Sequence, residues 1–410
     1  MKLRFLHGDL VVWAVFFFLC VISFVEVFSA GSYLYLEAGR SLRPFFQHGF
    51  FLSMAALMAW VVHNIPSRWF KLIPLFGLPL SIILLLWALF FGQNLNSGAR
   101  WVSIMGLSFQ PSEVAKGALI ATVALILATK QRDLATRRSS FKPILIVTFL
   151  ICGLIVTQNF STAALLFLVV CIMMFLGRVP NKWLLVLFGS LSVLGLLGFI
   201  TLKSLPKDPY HPIYDNTFMQ RVPTWRARFD ETVVITPDPK DFVVNDRNRQ
   251  VVHARIALAR ANVTGLAPGR SVQRDYLSAA YSDFIFAIIA EEMGIIGCAF
   301  VLFLYLVLLY RVGRIASRCK HNFPAFLVLG LGVMLVLQAL VNMLVAVGAG
   351  PVTGQPLPLI SKGGTSTIIT GFYIGMILSV SRASRRDDLT PLRSLAAEQN
   401  KEVEAAFAKE

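Results

Sequence analysis

The chain has 410 residues, 56% of them hydrophobic and only 15% charged, with a mean hydropathy of +0.68. A soluble domain of this size has too little interior to hide so much apolar surface, so the composition excludes a soluble globular protein and leaves a polytopic membrane protein. The net charge of +16 would suit a nucleic-acid binder, but Lys and Arg fall in short clusters between apolar runs, the pattern that orients membrane spans, which argues against nucleic acid.

Apolar runs long enough to cross a bilayer, about 17–25 residues each, fall near 9–30, 44–63, 71–92, 112–129, 143–158, 160–177, 183–202, 283–310, 323–349 and 366–383. The expected fold is therefore all-α, with about ten transmembrane helices. Only Thr157, Gln158, Asn159 and Ser161 interrupt the fifth and sixth runs; 143–177 is too long for one helix and suits a tight hairpin. The first run follows Lys2 and Arg4 but exceeds a signal-peptide core and lacks a small-x-small cleavage site, so it is kept as a span. Cys20, Cys152, Cys171 and Cys298 lie in apolar runs and Cys319 in a basic loop, with no metal or disulfide spacing.

Basic residues set the orientation. One side collects Arg68 and Lys71, Lys130 to Lys142, Arg178 and Lys182, Arg311 to Lys320, and Arg382 to Arg386. The short loops of the other side hold Arg40, Arg43, Arg100 and Lys362. Both termini are then cytoplasmic, and a large polar loop, 203–281, lies outside between the seventh and eighth spans. Residues 1–386 form the transmembrane domain with that loop inside it, and 387–410 a polar cytoplasmic tail.

Four segments with residues unusual for loops or membrane helices emerge on the outer face. They are Ser97–Trp101 with Phe109–Lys116, the hairpin tip Thr157–Thr162, Gly265–Asp283, and Gly354–Ser366. Asp283 stands where the polar loop meets the eighth span, able to reach water yet bordering low dielectric, which makes it the candidate catalytic carboxylate. Arg100 beside Trp101 reads either as an interfacial anchor or as a substrate contact. Glu113 and Lys116 share a helix face at i,i+3 and either neutralise each other or serve a ligand, the latter favoured because Lys116 falls a turn inside the span. Gly363-Gly364 before a helix forms a turn, or with Ser361 and Lys362 offers an anion site. Gln338 and Asn342 read as bonds to neighbouring helices. Glu291 and Glu292 point to different helix faces, and at least one is expected to be paired internally. No Walker loop, H-E-x-x-H or Ser-His-Asp context is present, against ATP-driven transport, metalloprotease and serine-hydrolase chemistry.

The segments Phe109-Gln-Pro-Ser-Glu-Val-Ala-Lys116, Asp283-Phe-Ile-Phe-Ala-Ile-Ile-Ala-Glu-Glu292 and Leu357-Pro-Leu-Ile-Ser-Lys-Gly-Gly-Thr-Ser366 resemble the three most recognisable motifs of the FtsW/RodA/SpoVE (SEDS) family. The resemblance covers roughly Gly8 to Arg386, and Gly8-Asp9 with the approach Val352–Pro358 is more similar to the division-type members than to the elongation type. It implies a peptidoglycan glycosyltransferase of the bacterial cytoplasmic membrane, acting at the division septum. Lipid II and the nascent glycan strand would be its substrates, and a class B penicillin-binding protein and other divisome membrane proteins its partners. Three positions depart from the family pattern: Asn159 where an acid is usual, Lys362 where an aromatic precedes the Gly pair, and Tyr281-Ser282 where His-Thr often precedes the Asp.

On that reading Asp283 is the general base, and Arg100, Glu113, Lys116, Arg270, Ser361, Lys362, Gly363 and Gly364 bind substrate. Arg100, Lys116, Arg270 and Lys362 would stabilise the departing pyrophosphate, optionally with a divalent cation such as Mg2+ or Mn2+. The alternatives left open are an elongation polymerase, a flippase for the lipid-linked precursor and a non-catalytic scaffold.

Overall fold

Backbone polar groups in hydrocarbon must be satisfied within the segment, so apolar runs of membrane length become helices. The computed structural model describes residues 7–36, 43–91, 93–94, 99–104, 107–131, 138–205, 249–277, 280–350 and 352–385. The 206–248 part of the outer loop and the 387–410 tail lie outside these residues.

In chain order the helices are α1 (Leu10–Leu36), α2 (Arg43–Asn64), α3 (Leu78–Phe91), α4 (Pro111–Thr129), α5 (Phe141–Val156), α6 (Phe160–Leu176), α7 (Asn181–Ser204), α8 (Arg249–Ala259), α9 (Ile285–Ser317), α10 (Asn322–Ala346) and α11 (Thr365–Arg385). Among the described residues 8 segments are long and apolar enough to cross a membrane, and α5 and α6 are shorter apolar helices joined at the expected hairpin. The chain is a multi-pass, all-α membrane protein. Its only described strands form a small antiparallel ribbon, β1 (Gln93–Asn94), β2 (Ala99–Ile104) and β3 (Leu107–Phe109).

The third span departs from a simple helix. It opens as a 3-10 turn, Ser67–Leu72, passes through a π turn, Ile73–Gly77, and only then becomes α3. Pro66, Pro74 and Pro79 explain this, since each lacks the N–H that a regular turn would use.

Helices α4 and α10 form the centre: α10 packs against α9, α4 and α6, and α4 also against α3 and α5. Of the apolar window in α4, 72% is buried, against 12% in α7, which places α7 at the periphery. Polar contacts gather the helix ends into two faces. On one, Asp9 caps α1 by accepting the Val11 N–H at 2.9 Å and pairs with Arg311, with Arg385 3.9 Å away. The same face has Arg382 bonded to the Asn64 carbonyl at 2.9 Å and Gln131 to the Gly177 carbonyl at 2.8 Å. This is the basic face of the sequence reading.

On the opposite face α8 and the 266–284 segment build a second, smaller core. Ala254, Ala257, Leu277, Ala280, Phe284 and Ala287 pack there with Ala30 of α1 and Val345 of α10. Helix α9 is not one rod, because Gly294 adopts φ 68°, ψ −166° and breaks it. The loop fills the break: Leu266 and Ala267 N–H bond to the Glu291 and Glu292 carbonyls at 2.9 Å each, and Ile295 and Ile296 N–H bond to the carbonyls of Asn262 and Val263 at 3.0 and 3.2 Å. Helix α9 is thus two pieces, 285–293 and 295–317, joined through the break at Gly294.

Candidate active site

Asp283 lies on the turn that enters α9, half-buried, and its Oδ1 accepts the Ser282 hydroxyl at 3.0 Å. The backbone around it is held at three successive carbonyls. Tyr281 O accepts the Lys362 N–H at 2.9 Å, Ser282 O the Ser361 hydroxyl at 2.6 Å, and Asp283 O the Asn342 carboxamide at 2.8 Å. The sequence thus joins 281–283, 361–362 and α10 across many intervening residues. The Lys362 ammonium sits 4.9 Å from the centroid of the Tyr281 ring, a cation–π contact with the residue two before Asp283. Burial lowers the Lys362 pKa from the ordinary lysine value, with Tyr281 acting in the opposite sense.

The 352–364 loop is short of donors, since Pro356 and Pro358 have no N–H. Its carbonyls are taken up by side chains of surrounding helices instead. Asn342 and Gln338 of α10 donate to the carbonyls of Gln355 and Pro356 at 2.8 and 3.1 Å. Tyr305 of α9 donates to Pro358 O, and Ser23 of α1 to Ile360 O at 2.7 Å. The Ser361 hydroxyl also accepts the Leu357 N–H at 2.7 Å, so this 2%-exposed side chain holds the loop on Ser282 rather than presenting itself outward. A Cβ at Gly363 would lie 2.3 Å from the Ser366 hydroxyl, and Gly364 takes φ 56°. The Gly pair therefore makes the turn into α11, with the Ser366 and Thr367 N–H groups bonded to the carbonyls of Gly363 and Gly364.

Glu113 and Lys116 neutralise each other, the first of the two readings that their i,i+3 spacing allows. They pair at 2.8 Å inside the bundle, with Lys116 1% and Glu113 5% exposed, and Lys116 also donates to Gln338 Oε1 at 3.0 Å. The Tyr373 hydroxyl donates to the Glu113 carbonyl and accepts the Gly117 N–H at 3.0 Å. Low dielectric makes such a pair strong and makes an orphaned member costly. The polar pocket beside it, lined by Glu113, Gln338, Pro356, Ser361 and Thr370 among others, measures about 10 Å³, the size of one water. The pair acts on the loop through Gln338. Lys116→Met is expected to destabilise the protein by about 3–5 kcal/mol, read as a lowered melting temperature in detergent, and Glu113→Gln added to it to recover part of the loss.

Both Glu291 and Glu292 prove to be internal. Glu292 accepts the Ser29 hydroxyl of α1 and the N–H groups of Gly269 and Ser271 at 3.1 and 3.0 Å; Glu291 accepts the Ser271 hydroxyl and the N–H groups of Val272 and Gln273 at 3.3 and 3.2 Å. The two carboxylates clamp the loop that leads to Asp283. Arg274 adds a bond from its guanidinium to Ser29 O at 3.1 Å.

Arg270 lies exposed on that clamped loop. Arg100 lies on β2. Asn159 caps α6, its side-chain oxygen accepting the Ser161 N–H at 3.1 Å, a task that the acid more usual in the family can equally perform. Among the described residues no three His, Cys, Asp or Glu side chains converge as a metal group. Sequence reasoning missed Tyr281, Ser29 and the loop-holding role of Asn342, whose partners are all distant in the chain.

The model of the FtsW/RodA/SpoVE family, described as cell cycle proteins, matches residues 9–386. A Halomonas elongata protein named probable peptidoglycan glycosyltransferase FtsW is 30% identical over 380 residues, 90% of this chain and 89% of its own length. The Bacillus subtilis protein of the same name is 32% identical over 308 residues, 74% and 72% of the two chains. Among solved structures, a chain from "Structural coordination of polymerization and crosslinking by a peptidoglycan synthase complex" superposes with a TM-score of 0.72 at 23% identity, covering 92% of this chain and 98% of that one. The Thermus thermophilus rod shape determining protein RodA does so with a TM-score of 0.64 at 23% identity, covering 93% and 98%. At that identity the two structures speak for the fold alone. With nearly the whole transmembrane region matched, this chain belongs to the FtsW/RodA/SpoVE family of cell cycle proteins.

Proposed function

We propose that this protein is a peptidoglycan glycosyltransferase that polymerises lipid II into glycan strands on the outer face of the bacterial cytoplasmic membrane. The observation that carries the reading is the backbone at 281–283, which is held at three successive carbonyls where the 266–277 loop enters α9 and carries the half-buried Asp283. The relatives named probable peptidoglycan glycosyltransferase FtsW support the activity, and the family's description as cell cycle proteins favours a place at the division septum. A class B penicillin-binding protein is the proposed partner, supported by the solved peptidoglycan synthase complex whose chain shares this fold.

In the proposed reaction Asp283 takes the proton of the acceptor sugar hydroxyl as its oxygen bonds to the anomeric carbon of the donor. The bond from that carbon to the lipid pyrophosphate breaks, and the pyrophosphate leaves with the electron pair. A carboxylate bordering low dielectric is a better base than one in water. Lys362 and the exposed Arg270, with Arg100 from β2, would neutralise the leaving group. Glu113, Lys116, Ser361 and the Gly pair act by shaping the loop beneath it. A divalent cation at this site would be held by the Asp283 carboxylate and would help to neutralise the departing pyrophosphate. An apolar groove of about 380 Å³ between α6 and α10, reaching Thr353 and lined by Phe160, Leu168, Leu337, Val341 and Leu344, suits the polyprenyl chain of such a substrate.

Because burial lowers the Lys362 pKa, its charge, and with it affinity for pyrophosphate, is expected to fall as pH rises through that lowered value. Lys362→Met should remove this pH dependence, measured as inhibition of strand synthesis by added pyrophosphate. The activity itself is tested by reconstituting the full chain with its cross-linking partner in liposomes containing fluorescent lipid II, scoring strand length and leaflet exchange together. Strands are expected; leaflet exchange without strands would replace the polymerase reading with a flippase.

A further inference from the structure

We propose that Asn342 is a positioning residue for Asp283, an inference that rests on the polymerase reading above. Asn342 is 1% exposed on α10, one turn beyond Gln338, and its single NH2 group donates at 2.8 Å to two carbonyls at once, Asp283 O and Gln355 O. Its own Oδ1 accepts no hydrogen bond. Both neighbours of the NH2 group are acceptors, so only one orientation of the carboxamide works, and the residue type is fixed by its two N–H donors. A hydroxyl could serve one of these carbonyls, a carboxylate neither.

The placement matters because of what else holds the segment. The carbonyls of 281 and 282 are fixed by Lys362 and Ser361 from one loop, whereas the carbonyl of 283 accepts from Asn342, on a helix of the central pair. Since the same NH2 group also holds Gln355 and Gln338 holds Pro356, α10 sets the distance between the Asp283 backbone and the loop carrying Lys362. Without that bridge the 355–362 loop and the 281–283 turn would still touch, but the Asp283 peptide would lose its bond to α10. Such misplacement of about 1 Å costs about 10²-fold in rate.

The test uses the full chain with its cross-linking partner and fluorescent lipid II in liposomes, comparing wild type, Asn342→Ala, Asn342→Ser and Asp283→Asn. Asn342→Ala is expected to lower kcat about 10²-fold with KM little changed, and to shift the acidic limb of the kcat–pH profile, which reports the base in the substrate complex. Asn342→Ser, keeping one donor, should fall between, and it carries the test if the alanine variant does not fold. A merely structural role would scale the profile without moving its acidic limb. An unmoved limb, or wild-type kcat, overturns the positioning role if Asp283→Asn is inactive. If Asp283→Asn instead makes strands like wild type, the reading of Asp283 as the base fails, and this inference with it.

Discussion

Asp283→Asn is expected to lower strand synthesis by about 10²–10⁴-fold, the usual contribution of a general base, while leaving the fold intact. The change exchanges one oxygen for an NH2 group of nearly equal size. It disturbs none of the three backbone bonds at 281–283, because their acceptors are carbonyls and their donors belong to Lys362, Ser361 and Asn342. The Ser282 hydroxyl, now bonded to Oδ1, finds the amide oxygen of Asn instead. What is lost is the capacity to accept a proton at neutral pH. The measurement pairs polymer length from the purified variant and its partner with a thermal melt. Loss of polymer with an unchanged melt fits a base; polymer within a few-fold of wild type removes the assignment.

The second large effect concerns the fold. Gly294→Ala is expected to cost about 3–5 kcal/mol, because two penalties coincide. The conformation at φ 68°, ψ −166° is one that only glycine adopts without strain. A Cβ there would also lie 2.4 Å from Gly265 N and 2.5 Å from the carbonyl oxygens of Asn262 and Val263, which are backbone atoms with no rotamer to change. Relieving the clash means moving the 262–267 loop away, which breaks the four backbone bonds that fill the gap in α9. The clamp at Glu291 and Glu292 lies in the same stretch, so the path from the loop to Asp283 loosens with it. A lowered melting temperature and faster protease cleavage within 260–275 should appear together. A variant that melts like wild type would show that the break in α9 carries no such load.

Much of this architecture could be read from the residues because membrane burial writes itself in long apolar runs. The hairpin at 157–161 and the segregation of basic ends from unusual segments follow from span length and charge alone. The motif-bearing segments also come together as expected, with 281–283 seated on 361–362. What could not be read is who satisfies whom. The spacing of Glu113 and Lys116 allows their pairing, but the second partner of Lys116, Gln338, lies far along the chain. Asn342 and Gln338 have the spacing of ordinary interhelical glue, and only the fold shows that they meet proline-rich loop carbonyls lacking local donors. Gly294 in Glu-Glu-Met-Gly gives no local sign of a broken helix, because the strand of loop that fills the break arrives from residues 262–267.

The account depends most on where Asp283 stands: at the outer border, on a turn held by two other elements. It is tested most directly by labelling Asp283→Cys, in a background with Cys20, Cys152, Cys171, Cys298 and Cys319 replaced, with a membrane-impermeant thiol reagent in intact spheroplasts and in inverted vesicles. Labelling is predicted in spheroplasts, blocked by prior addition of lipid II, and absent in inverted vesicles. Labelling in inverted vesicles alone would put the carboxylate on the cytoplasmic side and contradict the account.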